Sequence, residues 1–258
     1  VTTVGGQIIG IVGGVGPQAG IDLASKITSQ TSANSDQGHL PVVLLSFPAR
    51  ISERTAFLVG TERENPGVAI AAVIEQLERC GAGVVGIPCN TAHAPPILDI
   101  IKANMTHRDS AVTLLNMVAE MVAFLRSHHA DVRRVGVLAT TGAQRARIYT
   151  RALERQGLLV VVPTDDDQDR IVHPAIADEH YGIKACASPV SPRARNDLLR
   201  SVRALASAGA EAIILGCTEI PLAITEREID GVAIIDPTLV LARALIRAVA
   251  PEKLLPLH

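Results

Sequence analysis

One segment of this chain occurs twice. Residues 77–89 (LERCGAGVVGIPC) align without a gap on residues 205–217 (LASAGAEAIILGC), at an offset of 128. A second pair, residues 9–16 (IGIVGGVG) and 135–142 (VGVLATTG), aligns at an offset of 126. Two offsets this close are what a duplicated domain requires. Each half then opens with strand, tight loop and helix, and closes with helix, Gly-Ala turn, strand and cysteine. Gly81 and Gly209 fall just past the ends of their helices, where glycine adopts a left-handed conformation most easily. The fold must therefore be one that can be built from two similar units.

The rest of the chain says what those units are. Short aliphatic runs at 8–12, 41–46, 83–87, 112–115, 134–139, 158–162, 212–215 and 232–235 lack polar alternation, which predicts strands covered on both faces. Between them, residues 68–79, 117–127, 143–156, 192–208 and 237–249 place apolar residues on one face of a helix. Strands alternating with helices predict an α/β fold with right-handed crossovers. The expected architecture is two pseudo-symmetric lobes, each a parallel sheet flanked by helices, with an active site in the cleft between them. The N-terminal lobe is expected over residues 1–113, with 236–258 crossing back to it, and the second lobe over 114–235.

Composition narrows the function. Apolar residues make up 48% and aromatics 2% of 258 residues, so the core is aliphatic and the chain is no disordered segment. The formal charge of −2 and the scarcity of aromatic rings exclude a phosphate-tracking or base-stacking surface, so no nucleic-acid partner is expected. No apolar run approaches the ~20 residues of a membrane span, and no basic-then-apolar leader precedes the first strand. A cytoplasmic protein is expected. Its 4 cysteines are then free thiols rather than a disulfide framework.

Of these, Cys89 and Cys217 close the two copies of the repeat, at strand ends where ligands gather in α/β folds. A lone buried cysteine is as readily a small hydrophobe as a reactive group. Two at equivalent positions, followed by Asn90-Thr91 and Thr218, favour function. Cys80 and Cys186 lack this symmetry and are expected to be packed and inert. Without nearby histidine or Cys-x-x-Cys spacing the pair is a poor zinc site, and no metal is expected. Two thiols flanking a carbon acid suit another task. One, as thiolate, takes a proton from one face, while the other delivers a proton to the opposite face. A thiol's ordinary pKa of about 8.5 and its sensitivity to nearby charge fit it for this.

Several motifs together resemble the aspartate racemase group of the aspartate/glutamate racemase superfamily. These are Gly13-Gly14-Val15-Gly16-Pro17, Arg54-Thr55-Ala56, Pro88-Cys89-Asn90-Thr91-Ala92-His93, Ala139-Thr140-Thr141-Gly142, Lys184-Ala185 and Gly216-Cys217-Thr218-Glu219. The resemblance runs in order from about Ile8 to about Leu245. It implies interconversion of L- and D-aspartate without pyridoxal phosphate or any other cofactor, with Cys89 and Cys217 as the catalytic pair. It further implies that Arg54 and Lys184 bind substrate carboxylates, that Asn90, Thr91, Thr141 and Thr218 surround the amino acid, and that the protein is a homodimer. The physics agrees: proton loss beside a carboxylate builds negative charge there, and fixed cations stabilise it. On their own, Arg54 and Lys184 read more readily as solvated surface cations, and the motif match reverses that. Glutamate racemases typically carry a histidine after the second Cys-Thr; Glu219 here favours aspartate, or a broader aspartate/glutamate range. Maleate isomerase, of the same superfamily, is the alternative activity. The acidic run Asp165, Asp166, Asp167 and Asp169 is expected to be a solvated loop, and His93 to orient the loop behind Cys89.

Overall fold

The computed structural model describes residues 7–257; residues 1–6 and 258, which belong to the expected N-terminal lobe and the segment crossing back to it, lie outside the described residues. The first half runs β1 (Ile8–Gly13), α1 (Pro17–Ser29), β2 (Val42–Ser46), α2 (Arg54–Val59), α3 (Pro66–Arg79), β3 (Ala82–Gly86), α4 (Pro95–His107), β4 (Thr113–Leu115) and α5 (Met117–His128). The second begins β5 (Arg134–Ala139), α6 (Thr141–Arg145), α7 (Ile148–Glu154), β6 (Leu159–Val161), α8 (Asp165–Asp167) and α9 (His173–Ala177). It ends α10 (Pro192–Ser207), β7 (Ala212–Gly216), α11 (Ile220–Ala223), β8 (Glu228–Ile229), β9 (Val232–Ile235) and α12 (Pro237–Val249).

Two sheets result, in the orders β2-β1-β3-β4 and β6-β5-β7-β9-β8. All pairings are parallel except β8 with β9. Removing the short edge strand β8 leaves the same order in both. The register agrees as well: Ile9 pairs with Val84 in the first sheet, and their repeat equivalents Val135 and Ala212 pair in the second. Gly81 and Gly209 follow α3 and α10 with φ of 88° and 90°. A duplicated sequence has thus produced a duplicated α/β unit, each sheet flanked by helices.

The helices that follow the fourth strand of each sheet change places. α5 follows β4 of the first sheet, yet its Val118, Met121 and Leu125 pack with Val135, Val137 and Ile214 of the second. α12 follows β9 of the second sheet, yet its Leu241, Leu245 and Ile246 pack with Ile9, Ile11 and Val84 of the first. Both begin on a capping side chain, Asn116 accepting from Val118 N–H and Asp236 from Thr238 N–H. This exchange joins the two units through buried aliphatic surface. Among the described residues no helix is long and apolar enough to cross a membrane.

Three local expectations are corrected. The helix expected over 143–156 is two, because Arg147 takes a left-handed φ of 53° between α6 and α7. The acidic run is helical rather than a loop: Thr164 caps α8 by accepting from Asp167 N–H, and carboxylates suit a helix's first turn. Buried Gln168 and Val172 anchor the segment that follows. Cys80 is exposed, not packed, since it is the residue that ends α3 while Leu77 takes the core position.

Candidate active site

The strand ends of the two sheets face one another. Cys89 follows β3 and Cys217 follows β7, and both are buried. They line one small cavity of about 10 Å³, together with Arg54, Asn90, Thr218 and Glu219. That is room for about one water. Hydrogen bonds between the halves close its walls. Thr218 Oγ1 donates to the Pro88 carbonyl at 3.1 Å, and the Thr91 and Thr140 hydroxyls pair at 3.2 Å. Buried Tyr149 on α7 donates its hydroxyl to Asn90 Oδ1.

Arg54 is the first residue of α2, and Glu53 before it caps that helix by accepting from Ala56 N–H at 2.6 Å. The Arg54 guanidinium is buried and donates to the Val15 carbonyl at 2.7 Å. Burial alone would lower its pKa, but the sulfur of Cys89 and the carboxylates of Glu53 and Glu219 outweigh it and keep the cation. Two buried donors here, Arg54 Nε and Asn90 Nδ2, have no hydrogen-bond partner among the described residues. Unpaired buried donors are costly unless something else occupies them. They suit the oxygens of an anionic ligand.

Lys184 stands at the mouth, its side chain 30% exposed and its Nζ 3.6 Å from Glu53 Oε1. Its pKa is raised: burial works downward, but Glu219 and Cys217 work upward and win. Glu53, Arg54, Lys184 and Glu219 are also walls of an outer chamber of about 350 Å³, completed by Gly14, Gly16 and Pro17 of the first glycine loop. A ligand in that chamber meets two cations and two carboxylates before it meets sulfur.

Cys217 has the most altered chemistry. Its Sγ donates to Glu219 Oε2 at 3.0 Å. Burial and the Glu219 charge push the thiol well above its ordinary pKa, against a smaller opposing pull from Lys184. Glu219 itself is buried, with Thr218 Oγ1, whose single proton goes to the Pro88 carbonyl or to Glu219, 3.3 Å from its Oε2. His93, fully buried behind the first loop, donates Nε2–H to the Ile87 carbonyl at 3.3 Å, and burial lowers its pKa to about 4. A neutral imidazole in that place braces the loop carrying Cys89.

Of the eight residues singled out in the sequence, the cavity is lined by Cys89, Cys217, Arg54, Lys184, Asn90, Thr91 and Thr218. Thr141 is not among its walls; its neighbour Thr140 is. Thr141 instead turns away, its hydroxyl accepting from Gln168 Nε2 at 3.3 Å and its N–H lying 3.4 Å from His173 Nδ1. Thr140 faces inward and caps α6, accepting from Ala143 N–H. That capping position was the available sequence signal. Glu219 was visible in the sequence only as a departure bearing on the side chain, not as a partner of sulfur, and Tyr149, which does not repeat between the halves, had no comparable signal. Exposed His180 remains outside the cavity, and no group of three or more His, Cys, Asp or Glu able to hold a metal occurs among the described residues.

Comparison with known proteins follows the same lines. A family profile described as Asp/Glu/hydantoin racemase matches residues 12–245. The structure is similar to the aspartate racemase of Picrophilus torridus, with TM-score 0.75 and 27% identity over 94% of each chain. It resembles an aspartate racemase homologue from Pyrococcus horikoshii OT3, with TM-score 0.69 and 24% identity over 94% of this chain and 98% of that one. A glutamate racemase of Francisella tularensis subsp. tularensis SCHU S4, solved with D-glutamate, gives TM-score 0.65 at 17% identity, over 98% of this chain and 84% of that one. The last two likenesses are of fold alone. A curated protein of Pectobacterium carotovorum subsp. carotovorum, described as an uncharacterised protein in the pnlA 3′ region, is 40% identical over 101 residues. That match takes in 39% of this chain and 61% of that protein.

Proposed function

The chain belongs to the Asp/Glu/hydantoin racemase family, and on that footing we propose that it racemises an amino dicarboxylate, with aspartate as the substrate. The observation that carries this reading is the meeting of Cys89 and Cys217, from equivalent points of the repeat, in one cavity beside Arg54 and Lys184. In this reading one sulfur takes the α-proton as thiolate and the other returns a proton to the opposite face from its thiol. No cofactor is needed, since both proton carriers are side chains. The Arg54 fork and the Asn90 amide, each with an unpaired donor, bind carboxylate oxygens and stabilise the charge that builds as the α-carbon loses its proton. Lys184 holds the second carboxylate at the mouth. The cavity that both cysteines line, about 10 Å³, is far smaller than a four-carbon acid, so substrate entry from the outer chamber widens it. The likeness to the Picrophilus torridus enzyme supports aspartate over other side chains.

The test is direct. Purified protein is incubated with L-aspartate in heavy water, with L-glutamate and maleate in parallel. Deuterium at the α-carbon of aspartate together with appearance of the D enantiomer is the expected result. Turnover of glutamate alone would move the side-chain assignment, hydration or isomerisation of maleate would move the reaction, and inertness toward all three would overturn the proposal.

A further inference from the structure

The two thiols stand in unlike surroundings. Cys217 donates a hydrogen bond to Glu219 Oε2 at 3.0 Å, and that carboxylate is confined by close approach to Gly16, with Glu219 only 4% exposed. Cys89 has no carboxylate hydrogen-bonded to it among the described residues, and the Arg54 guanidinium stands on its side of the cavity. A buried carboxylate accepts a thiol hydrogen and repels a thiolate, because no water screens the two charges. The other groups facing Cys217 are Lys184 from the segment after α9, Tyr149 from α7, and Cys89, Asn90 and Arg54 across the cavity. Of these Lys184 and Arg54 are cationic, and Lys184, partly in solvent, is shared with Glu53.

We infer that Glu219 is a positioning residue that holds Cys217 as the thiol in the free protein, so that Cys217 is the resting proton donor and Cys89 the resting acceptor. The duplicated fold thus carries an unsymmetrical proton inventory. When Cys89 sulfur takes the α-proton, the C–H bond breaks to leave a carbanion. The Cys217 S–H bond then breaks to form the new C–H bond on the opposite face. Cys89 is left as thiol and Cys217 as thiolate, beside the Glu219 carboxylate. Loss of a proton from Cys89 to water and uptake of one from water at Cys217 restores the resting form. The asymmetry is one of resting population, and the overall equilibrium between enantiomers is untouched.

This inference rests on the proposed proton exchange, but its test needs no turnover. The free protein is alkylated with iodoacetamide across pH, and modification of each cysteine is followed by peptide mass spectrometry. In the wild type the reactivity midpoint of Cys217 lies above that of Cys89. In Glu219→Gln the Cys217 midpoint falls by about one pH unit or more, a tenfold gain in thiolate below both midpoints, while that of Cys89 stays in place. Glu219→Asp restores the wild-type order. A Cys217 midpoint at or below that of Cys89 in the wild type overturns the inference, and this comparison stands even if the variants fail to fold. Equal movement of both cysteines in Glu219→Gln overturns it too, since that is what loosened packing produces. Absence of aspartate racemisation with the alkylation order intact would instead overturn the proposed function and leave the Glu219–Cys217 pairing standing.

Discussion

Gly16 offers a sharp probe of the packing that fixes Glu219. It stands at the start of α1 with φ of 154°, a conformation L residues rarely adopt. A Cβ built there lies 2.2 Å from Glu219 Oε1, whereas ordinary contact begins at 3.4 Å. Gly16→Ala therefore makes the carboxylate retreat by about 1 Å, away from its bond to Cys217. Backbone strain of about 1–3 kcal/mol adds to overpacking of about 1–3 kcal/mol. Gly157→Ala is the control: its φ is 74° and nothing lies within 4 Å, so only the backbone cost applies, about 1–2 kcal/mol. Urea unfolding of both variants separates the two contributions. The decisive measurement is a double-mutant cycle of Gly16→Ala with Glu219→Ala. Removing the carboxylate relieves the clash, so the pair should be more stable than the sum of single effects by about 1–3 kcal/mol. Additivity within about 0.3 kcal/mol would refute the claim that Glu219 and Gly16 share this space.

Other expectations follow from the same geometry. Cys89→Ala and Cys217→Ala should each reduce aspartate racemisation by orders of magnitude, measured by chiral chromatography; near-full activity in either would remove that sulfur from the chemistry. Arg54→Lys keeps the charge but loses the planar fork, and should lower kcat/KM for aspartate about a hundredfold. Aspartate and alanine share the α-carboxylate, so both should lose alike; a loss confined to aspartate would show that Arg54 reads the second carboxylate instead. His93 is neutral in the folded protein, with its pKa lowered to about 4 by burial. The unfolded chain takes up that proton first as pH falls. The stability His93 permits is therefore complete above about pH 6.5 and is lost between there and about pH 4, by about 3 kcal/mol. His93→Gln should flatten this part of the urea-stability profile, and an unchanged slope would mean His93 is solvated in solution.

The strands were legible because each is a short aliphatic run bounded by turn residues, and a buried parallel strand needs nothing more. The small edge strand Glu228–Ile229 was not, since two residues carry no period. Arg147 breaks a helix that its own sequence would continue, taking a left-handed φ of 53° where no turn residue marks a break. Thr140 and Thr141 are adjacent hydroxyls, and composition alone does not say which points inward. Backbone direction at the end of β5 decides it, through the cap on α6.

What the sequence by itself determined is the doubled architecture and the address of the two sulfurs. Both follow from short-range rules: glycine where a helix must end, aliphatic residues where a strand is covered on both sides, and a repeat that returns each pattern to the same point. What only the tertiary structure decided is the company those sulfurs keep. The exchange of α5 and α12 between sheets, the Tyr149–Asn90 pairing and the burial of Glu219 against Gly16 join residues distant in the chain. Burial decides whether a carboxylate two positions from a cysteine is a screened surface charge or an unscreened partner, and burial is a property of the assembled halves.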